Sequence, residues 1–91
     1  MSVSERIAHR VGRDFGDRAA EALEALALAE TGNQDVERVH AALVLMAEGS
    51  VERLWQAVEL SLVDWRDVLM AGGLGPADWP EVLEREFGSV G

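Results

Sequence analysis

The sequence predicts an all-α protein, a small orthogonal bundle of about five short helices with no sheet. Apolar residues recur at the three- and four-residue spacing of a helix along most of the chain. Glycines and cap-forming residues separate these segments, and the alternating runs are too short for a strand. A chain of 91 residues with 48% hydrophobic content is large enough for one small core. We therefore expect a single helical domain over residues 1–91.

The first predicted helix lies in residues 1–16. This N-terminal segment is a candidate for a peripheral element, and residues 17–88 are expected to form the helical core. Ser2 or Ser4 can cap its start by accepting a backbone hydrogen bond. Every fourth residue of this helix is apolar, which gives a stripe of Val3, Ile7, Val11 and Phe15. The helix should end near Gly16, because glycine is a weak helix former.

A basic strip lies beside this stripe, because Arg6, Arg10 and Arg13 follow one another at helical spacing. Such a strip could dock on an acidic surface or on a phosphate group of a partner. The alternative is a solvated helix face, or one that folds against the acidic remainder of the same chain.

Two further helices are predicted before Gly49. An alanine-rich helix over residues 17–30 starts at Asp17, and its small side chains allow another helix to approach closely. The approaching helix would belong either to another molecule, across an interface, or to the same domain, in close intramolecular packing. The next helix covers residues 34–48 with Asn33 as its cap, and its apolar residues occupy more than one face, so it should be central.

Residues 50–74 contain the clearest helical spacing, with a cap at Ser50. A first stripe comprises Val51, Leu54, Trp55, Val58 and Leu62. The period then slips, and Asp64 is placed to cap a second short helix, so two helices should meet at a corner near Asp64. Gly72 and Gly73 should end the second helix through a left-handed conformation. The predicted core, with two indoles as anchors, is Val39, Leu43, Leu54, Trp55, Val58, Trp65, Val68 and Leu69.

The last predicted helix follows Asp78 and ends at Gly88. Asp78 and Glu81 fit a capping box, and Pro80 is tolerated in the first turn. The apolar face of this helix comprises Trp79, Val82, Leu83 and Phe87.

The segment DWRDVLMAGGL, preceded by AEGSVERL and followed by DWPEVLEREFG, resembles short bacterial proteins of uncharacterised function that share a similar DWRDxLxxAG signature. The likeness covers residues 34–88 and leaves the N-terminal third outside it. It implies a compact helical domain, and it brings no activity, ligand or site residue with it.

The composition restricts the classes of function. The formal net charge is −9, and an acidic chain is a poor candidate for direct binding to nucleic acid, whose phosphates require neutralisation. A basic protein partner suits it better. The chain has no cysteine, which excludes disulfides and thiol chemistry. No apolar run is long enough for a membrane span or a signal peptide, so we expect a cytoplasmic protein without membrane contact.

No group of residues resembles a catalytic, cofactor or metal site, so an enzyme is not expected. His9 and His40 are the two histidines, and neither has a second ligand at helical spacing, so both are expected at the surface or its boundary. Three carboxylate pairs lie at predicted helix starts, where capping accounts for them: Asp14 and Asp17, Asp64 and Asp67, Glu81 and Glu84. A DNA-binding helix–turn–helix across Gly49 is disfavoured. Its second helix would have to enter the DNA groove, but it carries acidic residues and its apolar stripe is too wide for that role.

Two function classes remain. The first is a non-enzymatic interaction or adaptor module that binds an unknown protein partner, with a homodimer as one form of assembly. Its candidate contact residues are Arg6, Arg10, Arg13 and Trp79. The alternative is an acidic nucleic-acid mimic that blocks a DNA-binding protein. The two differ in salt dependence, since a mimic should lose its partner at high salt and compete with DNA.

Overall fold

The computed structural model describes residues 3–29, 31–32 and 35–88. The α-helices are α1 (Glu5–Phe15), α2 (Ala19–Leu28), α3 (Val36–Ala47), α4 (Val51–Ala71) and α5 (Trp79–Phe87). A 3₁₀ turn at Gly16–Arg18 joins α1 to α2. The described ranges contain no strand, so the all-α prediction is confirmed. The predicted caps Ser2 and Asn33 lie outside the described residues.

Helix α3 forms the centre of the molecule, as its several apolar faces predicted. It packs along α4 and also contacts α1 and α5. The buried side chains of α3 are Val39, His40, Ala41, Ala42, Leu43, Val44 and Ala47. The helix starts after Asp35, whose carboxylate accepts a hydrogen bond from the backbone N–H of Arg38. The alanines keep α3 narrow, which lets neighbouring helices approach closely from more than one side.

Most of the predicted core is confirmed, and the exceptions are two tryptophans. The buried members of the predicted core are Val39, Leu43, Leu54, Val58, Val68 and Leu69. The expectation that Trp55 and Trp65 anchor the core is wrong, because both are only partly buried at its edge. The indole N–H of Trp55 donates to a carboxylate oxygen of Glu21 at 3.2 Å, so the ring lies where its polar end has a partner.

Helix α4 changes direction at Asp64, whose backbone angles of φ −157° and ψ 97° are not helical. The predicted corner is therefore confirmed, although both halves belong to one continuous element, Val51–Ala71. The Asp64 carboxylate accepts a hydrogen bond from the backbone N–H of Arg66 at 3.0 Å, as expected of a second cap. Leu62, expected on the buried stripe, is 61% exposed. Burial along that stripe stops short of the kink.

The side-chain caps predicted for two helices differ from the structure. Asp17 lies in the 3₁₀ turn, and Arg18 takes the N-cap position of α2 without a side-chain hydrogen bond. Helix α5 follows Asp78 as predicted, but the Asp78 carboxylate makes no capping hydrogen bond, so the capping box with Glu81 is not formed. The 3₁₀ turn and the proline in the first turn of α5 already fix these starts, which leaves the caps unnecessary.

The glycine pair that ends α4 has two different roles. Gly73 adopts a left-handed φ of 81°, as predicted for a helix end. Gly72 keeps a right-handed conformation and lies against α3, where an added Cβ would come within 2.7 Å of the Cα of Ala42. Gly72 is therefore required by the close approach of two helices.

Helix α1 packs against α2, α3 and α5. Ile7 and Val11 are fully buried and Phe15 is 6% exposed, so the predicted apolar stripe is confirmed. Ser4 caps the helix by accepting a hydrogen bond from the backbone N–H of Ile7. The Ser4 hydroxyl also donates to Glu37 of α3 at 2.6 Å. The start of α1 is thus joined to the central helix by both apolar and polar contacts.

Candidate functional site

The first residue of the predicted basic strip, Arg6, is engaged within the chain. Its Nε and Nη2 atoms donate to the two carboxylate oxygens of Glu37, each at 2.7 Å. Its Nη1 donates to the backbone carbonyl oxygen of Gly88 at 3.1 Å. The hydrogen bonds from Arg6 lower the pKa of the Glu37 carboxyl below its ordinary value of 4.5. Arg6 therefore joins α1 to α3 and to the end of α5.

Arg10 joins α1 to the same end of α5. Its Nε donates to Asp14 at 2.8 Å, and its Nη1 donates to the backbone carbonyl oxygen of Glu86 at 2.6 Å. The guanidinium also lies 5.0 Å from the centroid of the Phe87 ring. Carbonyls in the last turn of a helix lack intrahelical donors, so a cation there stabilises the helix end. Arg6 and Arg10 thus form a clasp on α5, which supports the alternative that the strip folds against its own chain.

The other two predicted contact residues lie apart from each other. The Arg13 side chain is 66% exposed and lies 3.4 Å from Asp14. Trp79 opens α5 and is partly buried, with the guanidinium of Arg38 at 5.0 Å from its ring centroid. Arg38 also donates to two backbone carbonyl oxygens of the loop before α5. Arg6 and Arg10 thus lie at the end of α5 and Trp79 at its start, so the predicted contact residues do not form one surface.

Large apolar side chains are exposed at a different place, which the sequence patterns did not predict. The strongly exposed ones are Leu28 (62%), Leu62 (61%), Val63 (84%) and Met70 (71%). Three of them belong to α4 and lie on either side of the kink at Asp64. Sequence reasoning missed this surface because an apolar residue at helical spacing, such as Leu62, is typical of a core position.

Helices α2 and α4 lie side by side and run in the same direction. Two contacts join them: Arg18 with Glu52 at 2.8 Å, and Glu21 with the indole N–H of Trp55 at 3.2 Å. Both contacts join residues that are 34 apart in the sequence, so the two helices keep one register. The same offset brings Leu28, at the end of α2, to the level of Leu62. The exposed apolar side chains of the two helices therefore lie at one end of the α2–α4 pair.

We name Glu59, Leu62, Val63 and Arg66 of α4 the kink surface. All four side chains are exposed. The guanidinium of Arg66 lies 5.4 Å from the ring centroid of Trp65. Within the described part of the chain, neither Glu59 nor Arg66 forms an ion pair. Along the sequence, the two apolar side chains of the kink surface thus lie between an exposed carboxylate and an exposed guanidinium.

Two open clefts lie beside α4, one along its second half and one along its first half. A cleft of about 370 Å³ is lined by Arg38, Trp65, Arg66, Leu69, Met70 and Gly75. A smaller one of about 270 Å³ is lined by Met46, Arg53, Gln56, Ala57 and Leu60. Among the described residues, neither lining includes a histidine or a carboxylate. The larger cleft shares Arg66 with the kink surface and extends its apolar part.

His40 is buried in α3, so the prediction of a surface or boundary position is wrong for this residue. Its Nε2 lies 3.1 Å from the carbonyl oxygen of Leu26. Burial lowers the pKa of His40 below its ordinary value of 6.5. His9 is exposed, as predicted. Among the residues that the structure describes, no group of three or more histidines, aspartates and glutamates could hold a metal ion.

Some of the acidic side chains are paired with arginines of the same chain. The carboxylates in ion pairs with arginine are those of Asp14, Glu21, Glu37, Glu48, Glu52 and Glu86. Hydrogen bonds from Arg18 lower the pKa of both Glu21 and Glu52. The net charge of −9 is unchanged by these pairs, because each contains one positive and one negative charge, so the surplus is carried by the other carboxylates.

Comparison of the chain with protein-family models, with curated proteins and with solved structures finds no match. Across residues 3–29, 31–32 and 35–88, none of the helices combines the length and the apolar character needed to cross a membrane. The chemistry and geometry of the kink surface are therefore the basis for a functional proposal.

Proposed function

We propose that the protein is a non-enzymatic interaction module that binds a protein partner at the kink surface. The observation that carries this proposal is the adjacent exposure of Leu62 and Val63, at 61% and 84%. Singly exposed hydrophobic side chains are normal, whereas a contiguous exposed group with a polar rim is typical of an interaction site. The kink at Asp64 holds this group at a fixed place on the molecule.

The residues around the kink surface support the same proposal. Met70 is 71% exposed and extends the apolar area beyond the kink, and methionine adapts its shape to a partner. Arg66 stacks beside the partly buried Trp65, and arginine and tryptophan are enriched at the centres of protein interfaces. These contacts hold the cationic edge of the surface in position before a partner arrives.

The contact residues predicted from the sequence are less suited to a partner. Arg6 and Arg10 are engaged with other elements of the chain, so a partner would have to break the clasp on α5 to use them. Arg13, with 66% of its side chain exposed, is the member of the strip placed to add to an interface. Trp79 offers only the part of its ring that Arg38 and the core leave uncovered.

The test compares partner capture by the parent protein and by a Leu62→Glu, Val63→Glu double variant. Both side chains are exposed, so the variant should fold, which circular dichroism checks. Gln56→Glu, at an exposed position on the same helix, is the control for added charge. A partner should be retained by the parent and the control at low and high salt, and lost by the double variant. A partner bound equally by all three proteins would contradict the proposal.

The alternative function, an acidic nucleic-acid mimic, predicts a different outcome of the same experiment. Its partner would be a DNA-binding protein that is retained only at low salt and displaced by DNA, because the contact would be electrostatic. The double variant, with two additional carboxylates, would bind such a partner at least as well as the parent. That result would replace the interaction module with the mimic.

The proposal also includes the cellular location, the relatives and the helix arrangement of the module. We place it in the bacterial cytoplasm, with relatives that carry a similar DWRDxLxxAG signature and a fold arranged as an orthogonal bundle. A basic partner would suit its net charge of −9.

A further inference from the structure

We propose that the larger cleft beside α4 binds a small organic acid, in which one carboxylate is attached to an aromatic or branched apolar body. This site goes beyond the proposed function, although it shares Arg66 with the kink surface. The cleft has a volume of about 370 Å³, and small-molecule sites typically measure about 300–1,000 Å³. Such sites combine a mostly apolar lining with a few charged or polar groups that orient the ligand. The cleft contains both parts.

The α4 side of the cleft is formed entirely after the kink at Asp64. Its residues are Trp65, Arg66, Leu69 and Met70. They occupy two neighbouring rows of one helical face, because Leu69 and Met70 each follow a lining residue by four positions. Asp64 is the position inside α4 with non-helical backbone angles, so this face is not interrupted.

The apolar part of the cleft is held in place by backbone segments. Leu69 is buried. The Trp65 ring lies against Gly32, where an added Cβ would come within 2.5 Å of the indole Nε1. The sulfur of Met70 lies against Gly75, where an added Cβ would come within 2.6 Å of it. Because these side chains already pack against the main chain, a ligand needs little rearrangement of the lining.

The charge of the cleft is opposite to that of the whole molecule. Acidic residues outnumber basic ones by 17 to 8 in the chain, yet the described lining contains two arginines and no carboxylate. Asp64 and Asp67, which flank Arg66 in the sequence, are not part of this lining. Salt screens charges over about 8 Å under physiological conditions, so distant carboxylates oppose an incoming anion only weakly. The local arginines therefore favour an anionic ligand.

Arg66 is placed to bind the carboxylate. Its guanidinium lies 5.4 Å from the centroid of the Trp65 ring. A guanidinium stacked on a ring keeps the N–H donors in its own plane accessible. Within the described part of the chain, the Arg66 side chain donates no hydrogen bond to a protein group. Its planar edge can therefore donate to both oxygens of a carboxylate, while the apolar body of the acid contacts Leu69 and Met70.

Arg38 has a positioning role on the other side of the cleft. It lines the cleft from α3, and Gly75 lines it from the loop after α4. The Nε of Arg38 donates to the carbonyl oxygen of Leu74 at 2.8 Å, and its Nη2 donates to that of Gly75 at 2.9 Å. These hydrogen bonds fix the loop against α3, and the loop in turn supports Met70.

The experiment is a titration of the nitrogen-15-labelled parent protein with phenylpropionate, followed by two-dimensional NMR. The indole N–H signal of Trp65 should shift in a saturable way, with a Kd of about 1–5 mM for an acid of this size. The indole signal of Trp55, which donates to Glu21 away from the cleft, should stay in place. Phenylpropanol has the same apolar body without the charge, and it should bind at least about fivefold more weakly.

Three variants test the roles of the lining residues. Arg66→Gln should raise the Kd for phenylpropionate at least about fivefold, because it removes the charged donor. Met70→Glu places a carboxylate in the lining and should weaken binding at least about tenfold. Arg53→Gln, at an exposed position on the same helix outside this cleft, is the matched control and should bind within about twofold of the parent. Arg66 and Met70 are exposed, so both variants should fold, which the same spectra check.

Three results would overturn the inference: a Trp65 signal that does not shift saturably with phenylpropionate, equal affinity for the acid and the alcohol, or an Arg66→Gln variant that binds the acid as the parent does. The outcome is separable from that of the partner-capture experiment. Acid binding without a captured protein would support the ligand site and contradict the interaction module. A captured partner without acid binding would do the reverse.

Discussion

The Nε2 atom of His40 lies 3.1 Å from the carbonyl oxygen of Leu26, and this contact ties the central helix to the end of α2. The same carbonyl also accepts a hydrogen bond from the backbone N–H of Ala29. The Nδ1 atom of the buried ring has no hydrogen-bond partner among the described residues. The geometry fits a neutral ring with its proton on Nε2, because a second proton would reside on an unpaired buried atom.

Acidification should destabilise the fold through His40. Burial lowers the pKa of the folded ring below 6.5, so below pH 6.5 the unfolded chain binds a proton that the folded protein does not bind. The free energy of unfolding should fall as the pH decreases from 6.5 toward the lowered pKa. Urea unfolding at a series of pH values measures this slope. His40→Gln, whose amide can donate to Leu26, should flatten the slope, and His9→Gln should leave it unchanged.

Two glycine-to-alanine changes should act in opposite directions. In Gly72→Ala, the new methyl group would come within 2.7 Å of the Ala42 backbone, so helices α3 and α4 must move apart. The loss should be about 1–3 kcal/mol of unfolding free energy. At Gly12, on the exposed side of α1, no atom lies within 4 Å of an added Cβ. Gly12→Ala should stabilise by about 0.5–1 kcal/mol, which thermal and urea unfolding would detect.

Replacement of leucines in the central helix by alanine should distinguish a fully buried core position from a partly buried one. Leu43 is fully buried, so Leu43→Ala should lower the free energy of unfolding by about 2–5 kcal/mol. Leu45→Ala, two residues along the same helix, removes the same atoms from a partly buried position and should have a smaller effect. Equal losses from urea unfolding would show that the centre of the core is not at Leu43.

Removal of the ion pair between Arg6 and Glu37 should weaken the attachment of α1. Arg6→Gln leaves a half-buried carboxylate with less hydrogen bonding, and the loss near neutral pH should be about 1–3 kcal/mol. Because Arg6 lowers the pKa of Glu37, the parent gains this stability above pH 4.5 and loses it as the pH falls through the lowered pKa. The stabilities of parent and variant should therefore approach each other as the pH falls from 4.5 through the lowered pKa of Glu37. Arg13→Gln, at a position with 66% side-chain exposure, should match the parent within about 0.5 kcal/mol.

The parts of the fold that local chemistry determines could be predicted from the sequence. The corner at Asp64 followed from a break in apolar spacing beside a capping side chain, and both features lie within a few residues. The central place of α3 followed from apolar residues on several of its faces. The capping side chains of α2 and α5 were predicted less accurately, because turns and proline can begin a helix without the cap that the sequence offers.

The parts that depend on distant contacts could not be predicted. Arg6 and Arg10 look like a surface strip in the sequence, and only the fold shows that residues more than 70 positions away accept their hydrogen bonds. Trp55 has the size of a core residue, but its depth depends on where Glu21 of another helix lies. Leu62 continues a buried pattern in the sequence, and its exposure follows from where α2 ends beside α4.

The clasp of Arg6 on Gly88 places the first and last described turns side by side. The helices α1 and α5 are therefore neighbours in space, so their contacts do not depend on the backbone being open between them. A short linker between these two turns, with new ends in the exposed loop at Gly73, would keep every helix beside its present neighbours. In such a circular permutant, α5 would lead directly into α1, and the contacts made by Arg6 and Arg10 would become local.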